Sequence, residues 1–273
     1  MRLINRSPGR VVAFTLVALP FAATVIAYAV ASHYRRLENP ADKLLPSLEQ
    51  MGATFWRMAF VPDRRTGDLL LWVDTFDSLW RLGIGVGLAT AIALVLGILI
   101  GFLPHARTML APYVAAISLI PPITILPILF IMVGLGETSK VMLVTLGTAP
   151  VMTRSIAQAV IDIPKELVIK AQTLGANTWH MIVRLVLPQV LPKLITAVRL
   201  GLVPGWIFLI SAEAIASTSG LGYRIFLVRR FLAMDVILPY VLWITLLAYI
   251  LDQLLLMLSR RAFPWHHMQG ESL

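Results

Sequence analysis

Four charged residues stand inside stretches that are otherwise apolar: Arg154, Arg199, Glu213 and Asp252. A charge so placed either pairs with an opposite charge on another segment or meets a polar solute that the segments enclose. Arg154, Arg199 and Asp252 fall in matching halves of three successive apolar runs. Asp252 is therefore expected to pair with Arg154 or Arg199; the alternative is that both arginines extend to the nearer surface. Glu213 lies toward the other end of its run. It reads either as lining a solute path or meeting a partner, or as capping helix ends around Ser217 to Gly222. Other chemistry is absent from the pattern. There is no cysteine, so no disulfide, thiolate metal site or cysteine nucleophile. There is no G-x-x-x-x-G-K-[ST] phosphate loop. The histidines (His33, His105, His180, His266 and His267) are scattered over loops and tail, and the adjacent pair His266-His267 has no further ligands beside it, so no metal site is expected. Polar groups do not converge as an enzyme site requires.

The elements that carry these charges must sit in lipid. The chain is 58% hydrophobic and 14% charged, with mean hydropathy +0.83. Soluble domains carry about 25% charged residues, and 273 residues cannot hide this much apolar side chain in one water-soluble core. The expected fold is an all-α integral membrane protein of about six transmembrane helices. A span takes about 20 apolar residues, and six runs qualify: Val11 to Ala31, Leu82 to Leu103, Met109 to Val133, Lys140 to Ile161, Lys193 to Ala214 and Asp235 to Leu258. The net charge of +9 is spread between or beside these runs with no continuous basic block, which suits a lipid surface and not nucleic acid. The first run is longer than the ~7–15 residues of a signal-peptide core, so it reads as a retained helix.

Charge distribution orients the spans. Arg2, Arg6 and Arg10 precede the first run without any acid, whereas the segment after it mixes acids and bases almost evenly. The positive-inside rule then puts both termini in the cytoplasm. The expected organisation is an N-terminal helix over residues 1–32, a periplasmic segment over 33–77, a permeation core over 78–259 and a cytoplasmic tail over 260–273. Leu44, Leu45, Leu48, Met51 and Phe55 recur at helical spacing, which predicts an amphipathic helix in the outer segment. Gly83, Gly87 and Ala91, then Gly97 and Gly101, predict close helix packing within the bundle or at a subunit contact. Pro121, Pro122 and Pro127 interrupt the third run. Such breaks are tolerated where a helix lines a cavity or packs on protein, which makes Ser118, Pro121, Pro122 and Thr124 candidates for a solute path alongside Glu213.

The cytoplasmic loop, residues 162–192, is about 30 residues long where a few would suffice. It reads as two helical segments broken at Gly175, with Ala171, Leu174, Met181, Ile182 and Leu185 supplying apolar surface. A helical hairpin with a glycine at its corner is a docking knob. The order Ala171, Gly175, Leu185-x-Leu187-Pro188 resembles the cytoplasmic loop of binding-protein-dependent ABC importer permeases, with Ile169 and Lys170 where the family has Glu and Ala. Ile120 to Pro127, Gly134 to Lys140, Ala212-Glu213, Gly220 to Tyr223 and Arg260 to Trp265 resemble the nitrate, sulfonate, taurine and bicarbonate branch, of MetI-like fold. The chain has Ser118-Leu119 where related permeases carry Arg-Pro, and the sequence leaves the charge of the solute open.

The resemblance implies a permease subunit in a bacterial inner membrane that works by alternating access. Ala171, Leu174, Gly175, Ala176, Leu185, Leu187 and Pro188 would form the coupling surface for an ATPase subunit. The partners implied are ATPase subunits carrying ATP and Mg, a periplasmic substrate-binding protein, a second permease copy as homodimer, and lipid. An ion-gradient-driven secondary transporter is the alternative; it would carry internal repeats around a midplane ion site, and no such repeat is evident.

Overall fold

The computed structural model describes residues 9–39 and 42–265; all regular structure within them is helical. In chain order the helices are α1 (Arg10–Glu38), α2 (Leu48–Phe60), α3 (Leu70–Phe102), α4 (Pro104–Ile117), α5 (Pro122–Val133), α6 (Glu137–Ile161), α7 (Lys165–Thr173), α8 (Thr178–Met181), α9 (Leu187–Ala216), α10 (Leu221–Arg229) and α11 (Met234–Ala262). A π-helical turn, Ile182–Val186, joins α8 to α9. The described residues divide into two compact units, one drawn from residues 1–69 and 228–240 and the other from residues 70–227 and 241–273.

In the first unit, α2 starts at a capping box: the Ser47 hydroxyl accepts from the Gln50 backbone N–H and the Gln50 side chain accepts from the Ser47 N–H. This fixes the helix start four residues after Leu44, so Leu44 and Leu45 precede the amphipathic helix instead of opening it. Met51, Thr54 and Ala59 are its buried positions. Tyr28 of α1 donates to the Pro46 carbonyl at 2.7 Å and Ser32 to that of Leu45 at 3.0 Å. Those bonds anchor the segment that leads into α2.

In the second unit, α6 lies among α3, α5 and α9. Ile98 of α3, Ile156 and Val160 of α6, and Val190, Leu194 and Ala197 of α9 make one buried cluster. Small residues set how close the helices come. A Cβ on Gly97 would sit 2.6 Å from Ile156 Cγ2 and one on Gly85 2.7 Å from Val144 Cγ1, whereas Gly83 and Gly87 face open space. The glycines expected to act as one packing series are thus on two faces of α3.

Among the described residues, four helices are long and apolar enough to cross a membrane: α1, α3, the continuous stretch Thr178–Ala216, and α11. Two of the expected spans differ in form. The third is two helices, α4 and α5, bent by 93° at residues 118–121, and the pair counts as a fifth crossing only if taken as one span. Pro121 and Pro122 lack the N–H groups that would continue α4, and a proline pushes the residue before it out of helical geometry. The expected run Lys140 to Ile161 is the 25-residue α6, long enough to cross but less apolar than the others. Its neighbours bury more than half of its residues, and its threonines return their hydroxyls to the preceding turn: Thr145 to Val141 at 3.0 Å, Thr148 to Val144 at 2.8 Å and Thr153 to Ala149 at 2.7 Å. Boundaries move as well. Helix α3 begins at Leu70, twelve residues before the expected start at Leu82, and its 33 residues reach about 50 Å at the helical rise.

Candidate functional site

The corner at Gly175 is built locally. Helix α7 ends as Gly175 takes φ +80°, a conformation that costs glycine nothing. The Asn177 side chain then accepts from the His180 backbone N–H and starts the next helix. No residue of α7 is buried. Leu174 is 79% exposed and Trp179 69%, with Ile169 exposed beside them, so the corner carries exposed apolar side chains. Ala171, Ala176, Leu185 and Leu187 are half-buried, and Gly175 and Pro188 exposed. The second arm of the hairpin is no separate segment. It runs through the π turn into α9, one 39-residue helix from Thr178 to Ala216.

At the far end of α9 lies a set of charges that hydropathy alone does not reveal. The Glu213 carboxylate is fully buried and accepts from the Ser78 hydroxyl at 2.8 Å, Arg81 Nη1 at 2.7 Å and the Gly222 backbone N–H at 2.9 Å. Arg81 also donates to the Ser219 carbonyl at 2.8 Å and forks onto Glu137. Glu137 in turn accepts from Lys140 at 2.8 Å, and Lys140 reaches the Ser217 hydroxyl at 3.1 Å. Asp74 accepts from the Gly220 N–H at 3.0 Å and from Arg224 Nε at 2.8 Å. Asp77 accepts from the Ser219 hydroxyl. Every charge here has an opposite charge or a donor against it, as burial requires. The arrangement does no bond chemistry. It ties the corner at residues 217–220 to α3 and to the start of α6.

The bond from the Gly222 N–H is of the kind the capping reading of Glu213 expects, while those from Ser78 and Arg81 tie the carboxylate to α3. Arg81, Asp74 and Arg224 were not singled out in the sequence, and Glu137 and Lys140 entered only within longer stretches such as Gly134 to Lys140. The available signal was Asp77 and Arg81, four apart and facing one another on a helix, at the edge of an apolar run.

The remaining site residues separate into two places. Asp252 of α11 pairs with Arg199 of α9 through two bonds of 2.8 Å each, to Nε and Nη2. Arg154 takes no part in that pair; its Nη1 donates to the Ser118 hydroxyl at 3.1 Å. Ser118 sits at the bend between α4 and α5, its hydroxyl donated to the Ala115 carbonyl at 2.7 Å. Pro121, exposed, precedes α5, Pro122 is its half-buried first residue, and the Thr124 hydroxyl closes onto the Pro121 carbonyl at 2.7 Å. The structure thus joins one intramembrane charge to the proline-broken segment and leaves Glu213 apart from both. Among the described residues no group of three His, Asp or Glu is placed to hold a metal ion, and His266 and His267 lie outside those residues.

Residues 93–264, more than half of the chain, match the family described as binding-protein-dependent transport system inner membrane component. The taurine transport system permease protein TauC of Escherichia coli is 35% identical over 199 residues, covering 73% of this chain and 72% of that protein. The putative aliphatic sulfonates transport permease protein SsuC of the same organism is 29% identical over 232 residues, 84% of this chain and 86% of its own. In fold, the chain is similar to one in an inward-facing structure of the MetNI methionine ABC transporter, with TM-score 0.63 at 20% identity over 70% of this chain and 95% of that one. The chain therefore belongs to the family of inner-membrane components of binding-protein-dependent transport systems, and is the multi-pass permease of an ATP-driven importer, served by ATPase and substrate-binding partners, not an ion-driven carrier or an enzyme.

Proposed function

We propose that the chain works as one of two identical permeases that pass a small sulfonate such as taurine inward, and that its Gly175 corner is the seat of the ATPase. The corner carries this reading: a nine-residue helix with no buried residue, ending in a left-handed glycine, offers Leu174 and Trp179 to a groove on another chain. Ala171, Ala176, Leu185, Leu187 and Pro188 shape and support that knob. ATP and Mg belong to the partner ATPase. The names of the relatives support the solute class, and the positive-inside rule supports an orientation with both termini and the corner in the cytoplasm. Ser118, Pro121, Pro122 and Thr124 then stand on the solute path, while Glu213 holds the outer corner of the bundle.

Two experiments test this. Replacing the exposed Leu174 by Glu leaves the fold intact and should abolish co-purification of the ATPase; Gly175→Trp should do the same. An ATPase that still co-purifies with both variants would show that the corner is not its seat. The absence of cysteine makes topology directly readable. In spheroplasts a membrane-impermeant thiol reagent should label Thr66→Cys and spare Thr173→Cys, and the opposite pattern would invert the orientation.

A further inference from the structure

A cavity of about 260 Å³ opens beside α3, α4 and α6, with Arg107, Ala115, Thr153, Arg154 and Gln158 among its lining residues. Two guanidinium groups line it and no carboxylate does. The two arginines are held differently. Arg107 donates to the Ile100 and Gly101 carbonyls in the last turn of α3, where the helix gathers partial negative charge. Arg154 has the Ser118 hydroxyl, and no ion pair joins it to any described residue. The neighbouring polar groups are already engaged. Thr153 donates to the Ala149 carbonyl, and Gln158 donates to Asp162 at 2.8 Å.

Arg154 lies in the second half of α6, seven residues before its end, exposed and beside a segment broken by proline. An unpaired charge at membrane depth is costly, and where it persists it marks the route of a solute or ion. The planar fork of a guanidinium suits two oxygens of one oxyanion better than a point charge does. We infer that Arg154, oriented by Ser118 and backed by the charge of Arg107, is a subsite for a tetrahedral oxyanion, and that its ligand is the sulfonate head of the transported solute. The inference rests on the sulfonate reading above and assigns that reading a contact on α6. A phospholipid phosphate offers the same chemistry, so the experiment separates the two.

The permease–ATPase complex, reconstituted in vesicles with its binding protein, is assayed for uptake of radiolabelled taurine, and bound phospholipid is read by native mass spectrometry. Arg154→Gln should lower uptake at least about tenfold, the factor that one charge-assisted contact commands, with the complex recovered in wild-type yield. Arg154→Lys should recover part of the uptake. If Arg154→Gln does not assemble, Arg154→Lys carries the test, because it keeps the charge and loses the fork. Uptake by that variant at the wild-type rate would then overturn the subsite. Undiminished uptake by Arg154→Gln together with loss of a retained phospholipid would assign the guanidinium to lipid and overturn the proposal. Undiminished uptake with no lipid change would overturn it as well. A wild-type complex that takes up no taurine would overturn the sulfonate reading and the subsite together, whereas the other failures strike the subsite alone.

Discussion

Arg81 and Arg199 are each an arginine on a long apolar helix facing a carboxylate on another helix, yet their side chains are 4% and 26% exposed. Arg81 meets Glu213, Glu137 and the Ser219 carbonyl together, whereas Arg199 has one bidentate partner, Asp252. The difference decides what loss of one member does. In the Arg81 set, removal of the arginine strands Glu213, which is fully buried and cannot reach water. In the Arg199 pair, the outcome depends on which side chain remains.

The largest effect should come from Arg81→Leu. It leaves Glu213 buried without its cation, and a broken buried pair costs about 3–5 kcal/mol. Thermal unfolding of the purified complex should show this as a large fall in Tm; a shift no greater than that of a surface substitution would erase the contrast between the two sites. Gly220→Ala should rank second. Gly220 has φ +121° and an added Cβ would lie 2.5 Å from Glu213 Oε1, so strain of about 1–3 kcal/mol is added without removing any charge.

The Arg199 pair sharpens the comparison through an asymmetry. Arg199→Leu strands a short carboxylate on α11 and should cost about 2 kcal/mol, toward the insertion penalty of an isolated intramembrane acid. Asp252→Leu leaves a long arginine whose head can reach the interface, so its cost should stay below about 1 kcal/mol. Measured stabilities in the reverse order would mean that Arg199 does not extend. The exchange Arg199→Asp with Asp252→Arg should restore most of what Arg199→Leu loses.

What was legible in the sequence follows the range of the interactions concerned. The Gly175 corner is set by a glycine and an asparagine cap within a few residues of each other, so its place could be read directly. The pairing of Asp252 was legible to within two partners; choosing Arg199 over Arg154 needs the rotation of α6 against α9, which no local pattern encodes. Arg81 escaped notice for a different reason. A hydropathy window follows lipid contact and so began its span at Leu82, whereas the helix starts at Leu70 because the charges on its first turns are neutralised by residues 137, 213, 219 and 224, far along the chain. The broken third span was visible as prolines, but the 93° angle between its halves was not.

The continuous helix from Thr178 to Ala216 has a mechanical meaning. At the helical rise its 39 residues make a rod about 58 Å long. One end is clamped by Glu213 and its partners, and the other ends beside the Gly175 corner. A rod held at one end by a pivot swings about it when its free end is pushed. A tilt of about 5° moves the free end by about 5 Å over that length. For such a swing the travel is greatest at the Gly175 corner and vanishes at the charge cluster, which would then serve as the fulcrum as well as holding the fold.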